Sequence, residues 1–316
     1  MDERGIAVTA SPESLLATPM IGVPLARATR TPMRRTILKT CAAMIAGASV
    51  LATGSAVPRR SRRWIAFYGQ TADEQVLASY DFVVLDPMFK GSIDAVAKAG
   101  ARVCSYLSLG EIRVSDGFYG RVDPAALLEE NPAWPGTRRV DVRYRSWKAL
   151  ILGEMIPFIA AKGYTGLLLD TLDTPPYLEQ LDPHGKRGMG QATVDLVRAI
   201  RQSYPTMLIV ANRGYALLPK IINHIDGIVA ESLLTTVDET HENEYRWNDA
   251  SEVALQLSLL ANATKRHRRF PVFSLDYWDP EDTASIRKIY FRQRELGHYP
   301  YVATRMLDKI IPEPKS

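Results

Sequence analysis

The chain has 316 residues, of which 46% are hydrophobic and 23% are charged, and this composition excludes a disordered tail or a fibrous protein. The formal net charge of +4 invites a nucleic-acid interpretation, but ten of the 39 Lys and Arg residues precede Trp64, with only three of the 35 Asp and Glu residues. The remainder of the chain is therefore slightly acidic, which argues against a phosphate-binding surface and a nucleic-acid partner.

The N-terminal segment has the pattern of an export signal. Residues 33–40 read MRRTILKT, a twin-arginine pattern, and an uncharged stretch of small and apolar residues follows. Gly54 and Ala56 are small residues at the positions that a signal peptidase prefers, so cleavage after Ala56 is expected. The stretch is too short and too rich in Ala and Gly to span a bilayer well, so no stable membrane insertion is expected after cleavage. A buried or amphipathic helix is the alternative.

These features predict a leader with a twin-arginine-type signal peptide over residues 1–56, and a domain over residues 57–316 that is exported to the periplasm or the extracellular space. Translation from Met33 would give a leader of more usual length. Once the segment with Cys41 is removed, only Cys104 remains, so no internal disulfide is expected.

Eight short apolar, β-branched or aromatic runs predict strands, at residues 64–69, 82–87, 102–111, 166–171, 207–214, 227–233, 271–278 and 299–305. Most are near-continuous hydrophobic runs, which are typical of parallel strands covered on both faces. Helix-period stretches separate them, at 73–79, 93–99, 147–163, 193–204, 217–225, 249–265 and 282–296. This alternation predicts an α/β fold, a single (β/α)8 TIM barrel, with a doubly wound open sheet as the alternative.

The longest segment without a predicted element, residues 112–145, follows the third strand and contains Tyr119, Trp134 and several prolines. Long loops after barrel strands usually help to build a binding cleft. We therefore expect this segment to border the site.

Carboxylates end five of the eight predicted strands, at Asp86, Glu111, Asp170, Glu231 and Asp276. The C-terminal ends of barrel strands converge on one face, so these side chains are expected to meet there. Capping of the next helix is the alternative for each Asp. It is weaker for Asp170, because the next predicted helix starts well downstream, and for Glu231, because Glu is a poor N-cap. Two carboxylates at the mouths of strands four and six can act as acid and nucleophile.

Other catalytic patterns are weak. The five histidines show no metal-binding spacing, so no metal is predicted, and a zinc-dependent deacetylase is disfavoured. Gly188 and Gly190 do not follow a strand and lack the third glycine of a dinucleotide site, so no cofactor is predicted. Ser108 lacks the first glycine of a nucleophile elbow and is interpreted as structural.

The blocks that carry a family resemblance are VVLDP, YLSLGE, VDVRYRSW, KGYTGLLLDTLD, VANRG and GIVAESL. In this order and spacing, over residues 64–305, the chain resembles glycoside hydrolase family 114, the endo-α-1,4-polygalactosaminidase-like group. The resemblance implies a barrel that cleaves α-1,4-linked, galactosamine-rich exopolysaccharide with an Asp after strand four and a Glu after strand six. These residues are Asp170 and Glu231. By similarity to related α-glycosidase barrels, Asp170 is the nucleophile and Glu231 the acid/base.

Further residues at the same strand ends are expected to contact a cationic polysaccharide. Carboxylates would bind ammonium groups and, by crowding, raise the pKa of Glu231; these are Asp86, Glu111, Asp173 and Asp276. Aromatic side chains could stack on sugar rings or belong to the core; these are Tyr68, Tyr106, Trp134, Tyr277 and Trp278. Asn212 and Arg213 are expected to bind hydroxyl groups, with a plain strand-end turn as the alternative.

A retaining reaction is expected, which requires carboxyl groups roughly 5–5.5 Å apart, whereas roughly 6.5–9.5 Å would indicate inversion. Two alternatives to the function remain open. One is a hydrolase of another α-linked glycan, and the other is a carbohydrate-binding barrel without catalysis.

Overall fold

The computed structural model describes residues 63–237, 244–265, 267 and 270–315. Its strands are β1 (Trp64–Phe67), β2 (Phe82–Leu85), β3 (Arg102–Ser108), β4 (Glu111–Arg113), β5 (Leu127–Glu130), β6 (Thr137–Val140), β7 (Gly166–Asp170), β8 (Leu208–Asn212), β9 (Gly227–Glu231), β10 (Thr235–Val237), β11 (Tyr245–Trp247), β12 (Val272–Tyr277) and β13 (Tyr299–Ala303). Eight of them form one parallel sheet in the order β1-β2-β3-β7-β8-β9-β12-β13.

The helices are α1 (Glu74–Ala78), α2 (Ile93–Lys98), α3 (Arg145–Leu150), α4 (Ile156–Ala161), α5 (Thr174–Leu181), α6 (Met189–Ser203), α7 (Leu218–Ile221), α8 (Ala250–Thr264) and α9 (Thr283–Glu295). Each connection between successive strands of the large sheet contains at least one of them. The two ends of the sheet meet, since Trp64 Nε1 donates to the Tyr299 carbonyl over 2.8 Å and the Tyr68 amide donates to the Leu307 carbonyl over 2.6 Å. The (β/α)8 barrel is confirmed, and the open-sheet alternative is wrong.

Side chains alternate along the barrel strands between its interior and the surrounding helices. Trp64, Phe82 and Phe273 contact one another inside the barrel near the N-terminal ends of their strands, with ring centroids 4.8–5.8 Å apart. Four residues after Trp64, on the same side of β1, Tyr68 lies at the opposite end. An aromatic floor thus fills the N-terminal end of the barrel, and the polar residues lie at the C-terminal end.

The segment after β3 differs from the sequence prediction. The strand predicted to run from 102 to 111 ends at Ser108, and residues 111–140 form a three-stranded antiparallel sheet in the order β4-β6-β5. We call this sheet, with its turns, the loop sheet. Its strands are three or four residues long and rich in charge, so they lack the apolar run that identifies a core strand. Main-chain pairing and the Arg138 Nε bond to the Leu128 carbonyl hold it instead.

Two helical regions also differ. The helix predicted over 147–163 spans 145–161 and contains a π-helical turn, Ile151–Met155, just before Pro157, a residue that has no N–H for the regular helical ladder. Helix α5 is absent from the prediction, although its proline near the first position is a helix-start signal. It begins directly after Asp173, so the helix following Asp170 starts sooner than expected.

The predicted leader, its cleavage after Ala56 and the domain boundary at residue 57 lie outside the described residues. In the ranges that are described, no helix combines the length and apolar character needed to cross a membrane.

Candidate active site

Three neighbouring barrel strands each end in a polar residue that points into the barrel mouth. Asp170, Asn212 and Glu231 are the last residues of β7, β8 and β9. Asn212 Nδ2 donates one hydrogen bond of 2.8 Å to Asp170 Oδ1 and another of 2.5 Å to Glu231 Oε2. One amide group therefore holds the two carboxylates side by side.

The residue after each of these three has a left-handed backbone. Thr171, Arg213 and Ser232 have φ values of 57°, 49° and 52°. Such conformations are unfavourable for side chains with a Cβ and are concentrated at functional sites. After Arg213, Gly214 also has a positive φ of 67°, and a Cβ there would lie 2.9 Å from Leu172 Cβ. The chain thus leaves the barrel sharply at each strand end, directly behind the polar side chain.

Glu231 lies in an environment that favours its protonated form. Burial and the nearby Asp170 charge raise the pKa of Glu231, while hydrogen bonds from Tyr277 and Asn212 oppose the rise. The Tyr277 hydroxyl donates to Glu231 Oε1 over 2.5 Å. Because the net effect is a raised pKa, Glu231 can hold a proton for transfer to a leaving group.

Two further tyrosines line the pocket. The rings of Tyr68 and Tyr106 pack edge to face with centroids 5.1 Å apart. Burial raises the pKa of both phenols, and the Asp170 charge raises it further, with a hydrogen bond between Tyr106 and Asp170. Both phenols are therefore neutral hydrogen-bonding groups beside the carboxylate pair.

Asp86 and Asp173 also lie near the pair. Asp86 follows β2 directly and its charge raises the pKa of Tyr68, although its Oδ1 already accepts from the Met88 amide over 2.7 Å. Asp173 Oδ2 lies 3.4 Å from Arg213 Nε. Burial raises the pKa of Asp173 and the Arg213 charge opposes the rise. Asp173 is thus partly neutralised by the residue that follows Asn212.

The structure places Glu111 elsewhere than expected. It lies in the loop sheet rather than in a barrel strand and is only 5% exposed. One oxygen accepts from both Asn131 and Thr174, at 3.0 and 2.8 Å, and the other accepts from Asn131 at 3.1 Å. Its carboxylate therefore joins the loop sheet to the start of α5.

Asp276 is also directed away from the pair. It is 0% exposed, and its oxygens accept from the Leu234 and Thr235 amides at 2.8 and 3.0 Å and from Gln293 Nε2 at 2.6 Å. The reason is strand alternation: Tyr277, the next residue, faces the barrel interior, so Asp276 faces helix α9.

Sequence reasoning missed several residues that support the site. Thr171 Oγ1 accepts from the Gly110 amide over 2.7 Å and shares a 2.8 Å hydrogen bond with Ser108 Oγ, so Ser108 has the structural role expected of it. The positive charge of Arg113 lowers the pKa of Tyr68 and Tyr106, against the other influences. Isolated polar residues in loops give no periodic signal from which such contacts could be inferred.

The two tryptophans expected to stack on sugar rings, Trp134 and Trp278, contact different parts of the chain. Trp278 packs on Tyr245 and Trp247, with centroids 6.4 and 5.4 Å away. Trp134, in the loop sheet, has the Arg305 guanidinium 5.1 Å from its ring centroid.

Among the residues that the structure describes, no group of three or more His, Cys, Asp or Glu side chains is arranged to hold a metal ion.

Comparison with solved structures shows two that share this fold. The chain is 24% identical to the glycoside hydrolase domain of PelA from Pseudomonas aeruginosa, with a TM-score of 0.69 over 78% of this chain and 96% of that one. It is 15% identical to Ega3 from Aspergillus fumigatus, solved in complex with galactosamine, with a TM-score of 0.60 over 78% of this chain and 93% of that one. These likenesses establish the fold.

Relatives are also found by sequence. An uncharacterized protein of Deinococcus radiodurans is 28% identical over 259 residues, 77% of this chain and 80% of the relative. One from Thermotoga maritima is 26% identical over 270 residues, 76% and 80% of the two chains. The model of the glycoside-hydrolase family GH114 matches residues 47–315, most of the chain. This protein is therefore a member of glycoside hydrolase family GH114, as the resemblance in its sequence predicts.

Proposed function

We propose that this glycoside hydrolase cleaves α-1,4-linked, galactosamine-rich exopolysaccharide by a retaining mechanism, with Asp170 as nucleophile and Glu231 as acid/base. The observation that carries the proposal is the Asn212 amide, which donates to both carboxylates. A single nitrogen within hydrogen-bond range of both groups fixes their separation before substrate binds.

The separation supports retention. The distance between Asp170 Oδ1 and Glu231 Oε2 cannot exceed the sum of the two hydrogen-bond distances, 2.8 and 2.5 Å. Oxygens this close are more compatible with the roughly 5–5.5 Å carboxyl separation of retaining glycosidases than with the roughly 6.5–9.5 Å that leaves room for water between inverting carboxylates.

The reaction then proceeds in two steps. Glu231, whose pKa is raised by burial and by Asp170, protonates the leaving glycosidic oxygen while Asp170 attacks the anomeric carbon. The resulting glycosyl ester on Asp170 is hydrolysed by water, and Glu231 now accepts the proton of that water. The products are a new reducing end of unchanged configuration and the regenerated enzyme.

A sugar with hydrogen-bond donors suits the pocket. Among the described residues no donor pairs with the buried Asn212 Oδ1, and both hydrogens of its Nδ2 are already used. A hydroxyl or ammonium group of the substrate would satisfy this oxygen. Asp86 adds a negative charge on the β2 side. The galactosamine bound to Ega3 is a sugar with both donor types.

We further propose that residues 1–56 are a leader whose twin-arginine pattern exports the domain of residues 57–316 to the periplasm or beyond. A polymeric exopolysaccharide would be met there. N-terminal sequencing of the exported protein tests the predicted cleavage after Ala56.

The test is hydrolysis of partly deacetylated α-1,4-galactosamine polymer by the purified chain, with products weighed by mass spectrometry and their anomeric configuration followed by NMR. We expect oligomers with retained configuration from the wild type and a loss of at least about 1,000-fold in Asp170→Asn and Glu231→Gln. Asp195→Asn, an exposed carboxylate on α6, is the matched control and should retain activity. A folded wild type without products would indicate another α-linked glycan or binding without catalysis.

A further inference from the structure

An aromatic and cationic contact crosses one side of the barrel mouth. Trp134 lies in the turn between β5 and β6, and Arg305 lies two residues after β13. The Arg305 guanidinium lies over the Trp134 ring at 5.1 Å from its centroid, and Trp134 remains 46% exposed. In the closed barrel, β1 and β2 lie between β13 and β3, the strand that the loop sheet follows. The contact therefore spans the ends of β1 and β2, where Tyr68 and Asp86 lie.

A second arginine lies on the same side. Arg113 is the last residue of β4 and pairs with Thr137 of β6, and the Val114 amide donates to the Gly136 carbonyl over 2.8 Å. These pairings place Arg113 beside the turn that contains Trp134. Its charge also acts on Tyr68 and Tyr106 in the pocket. Arg113 thus lies between the Trp134 turn and the catalytic carboxylates.

Neither arginine forms an ion pair with a described residue. In the part of the chain that the structure describes, no carboxylate lies within 4.0 Å of a nitrogen of Arg113 or Arg305. Asp308, in the same turn as Arg305, faces the Thr304 hydroxyl at 3.5 Å. The mouth thus carries two positive charges without an ion-pair partner among the described residues. The pocket is less acidic than the sequence predicts, because Glu111 and Asp276 are directed elsewhere and Arg213 offsets Asp173.

Two free guanidinium groups beside an exposed indole are poorly suited to an ammonium group, because like charges repel. They are well suited to a sugar that carries an uncharged acetamido group, whose carbonyl accepts from a guanidinium while the ring stacks on the indole. We propose that Arg113, Trp134 and Arg305 form a mouth subsite that binds an N-acetylated hexosamine unit of the polymer and disfavours a deacetylated one. This inference rests on the proposed function.

The consequence is that the pocket and the mouth subsite prefer different sugar units of the same polymer. The pocket, with Asp86 and the unpartnered Asn212 oxygen, binds a sugar that carries hydroxyl or ammonium donors, while the mouth subsite requires an uncharged sugar. Sites of cleavage are then set by the pattern of acetylation, and a partly acetylated chain is a better substrate than a fully deacetylated one.

The experiment compares kcat/KM on two probes, fully deacetylated α-1,4-galactosamine oligomers and the same oligomers after partial chemical N-acetylation. We expect the wild type to prefer the second probe at least about fivefold. Arg305→Gln and Arg113→Gln should bring this ratio close to one by raising kcat/KM on the deacetylated probe, whereas Arg305→Lys, which keeps the charge, should retain it. Trp134→Ala should raise KM on the acetylated probe.

Arg287→Gln, an exposed arginine on the outer helix α9, is the matched control and should keep the wild-type ratio. Melting temperatures of all variants exclude a folding defect. A wild-type ratio near one, or arginine variants of native melting temperature that keep the wild-type ratio, would overturn the mouth subsite and leave the proposed function intact. Absence of cleavage of both probes by the wild type would instead count against the proposed function.

Discussion

At the scale of single residues, the Asn212 side chain offsets the repulsion between the Asp170 and Glu231 carboxylates. Two carboxylates this close repel each other, and the repulsion grows as water is excluded from around them. A neutral amide with two hydrogens can donate to both without adding a charge that would compete with a bound sugar. A lysine at this position would hold both groups ionised and remove the proton that Glu231 needs in the proposed mechanism.

The hydroxyl of Tyr277 affects the same balance. Its hydrogen bond to Glu231 lowers the pKa of that carboxyl, so Tyr277→Phe should raise the pKa. In the proposed mechanism Glu231 acts as an acid in its protonated form, so the alkaline limb of the pH–rate profile should move to higher pH. We expect kcat to fall about 10- to 100-fold, the range for losing a hydrogen bond to an ionisable group. The measurement is the pH dependence of kcat/KM.

Tyr144→Phe is the control for this variant, since Tyr144 is an exposed tyrosine at the start of α3. It should leave both the rate and the profile unchanged. An alkaline limb that stays in place, or moves to lower pH, in Tyr277→Phe would contradict the role of this hydroxyl.

The shared position of Asp170 and Glu231 at the barrel mouth could be predicted because each carboxylate ends an apolar strand. Asp276 shows where this reasoning fails. Only one of two adjacent strand residues can face the barrel interior, so the expectation that both Asp276 and Tyr277 line the cleft conflicts with strand alternation. Applying the period of two to each strand would have directed Asp276 outward. The position of Glu111 could be predicted only if it were known that β3 ends at Ser108.

At the scale of elements, the end of β7 depends on a contact with the segment after β3. The Gly110 amide donates to Thr171 Oγ1, and a Cβ at position 110 would lie 2.7 Å from the Thr171 carbonyl oxygen. Thr171 already has a left-handed backbone and directly follows Asp170. The absence of a side chain at residue 110 therefore permits the geometry of the proposed nucleophile.

Gly110→Ala should displace this contact, lower the free energy of unfolding by about 1–3 kcal/mol and reduce kcat more strongly than it raises KM. Gly117→Ala is a matched control in the loop sheet, because a Cβ there meets no atom within 4 Å. Urea unfolding and steady-state kinetics measure the two effects. Equal behaviour of the two variants would show that the close approach is unimportant.

The sequence predicted the strands and helices that contain long apolar runs. It did not predict the elements that are held by main-chain pairing and charged side chains. The strands of the loop sheet are held by main-chain pairing and charged side chains, so hydrophobic periodicity does not reveal them. Helix α5 buries only a few of its residues and has two consecutive prolines in its first turn, so it lacks the apolar periodicity that identifies a helix.

At the scale of the whole molecule, Asp276 joins three parts of the barrel: its own strand β12, the chain that leaves β9, and helix α9. Burial raises the pKa of Asp276 to about 6, and the surrounding donors oppose part of the rise. Since the folded-state pKa exceeds the usual 3.8, this group favours folding fully below pH 3.8. That contribution is lost as the pH rises through about 6.

Asp276→Asn removes this titration and retains an acceptor for the Leu234 and Thr235 amides. The free energy of unfolding of the wild type, relative to the variant, should therefore decrease by about 2 kcal/mol between pH 4 and pH 7. Urea unfolding at both pH values gives the comparison, in which the other titrating groups cancel. A difference that is independent of pH, or that grows in favour of the wild type as the pH rises, would contradict the buried carboxylate.

The barrel itself was predictable because it is a property of the whole alternation. Errors of several residues at element ends, and one missed helix, leave the order of strands and helices unchanged. The position of the site follows from the same order, since parallel strands must expose their C-terminal ends on one face. Within a strand, the period of two decides which side chains share that face, but the pairing of the loops, as at Glu111, is not encoded in hydrophobic periodicity.

The left-handed residues behind Asp170, Asn212 and Glu231 have a consequence for adaptation. Three energetically unfavourable turns are concentrated at one end of the barrel, while the aromatic floor packs the other. Selection for heat resistance and selection for turnover therefore act on separate ends of the same strands. Substitutions that improve the packing of the floor would add stability far from the site, and this reserve could offset the cost of new side chains at the mouth.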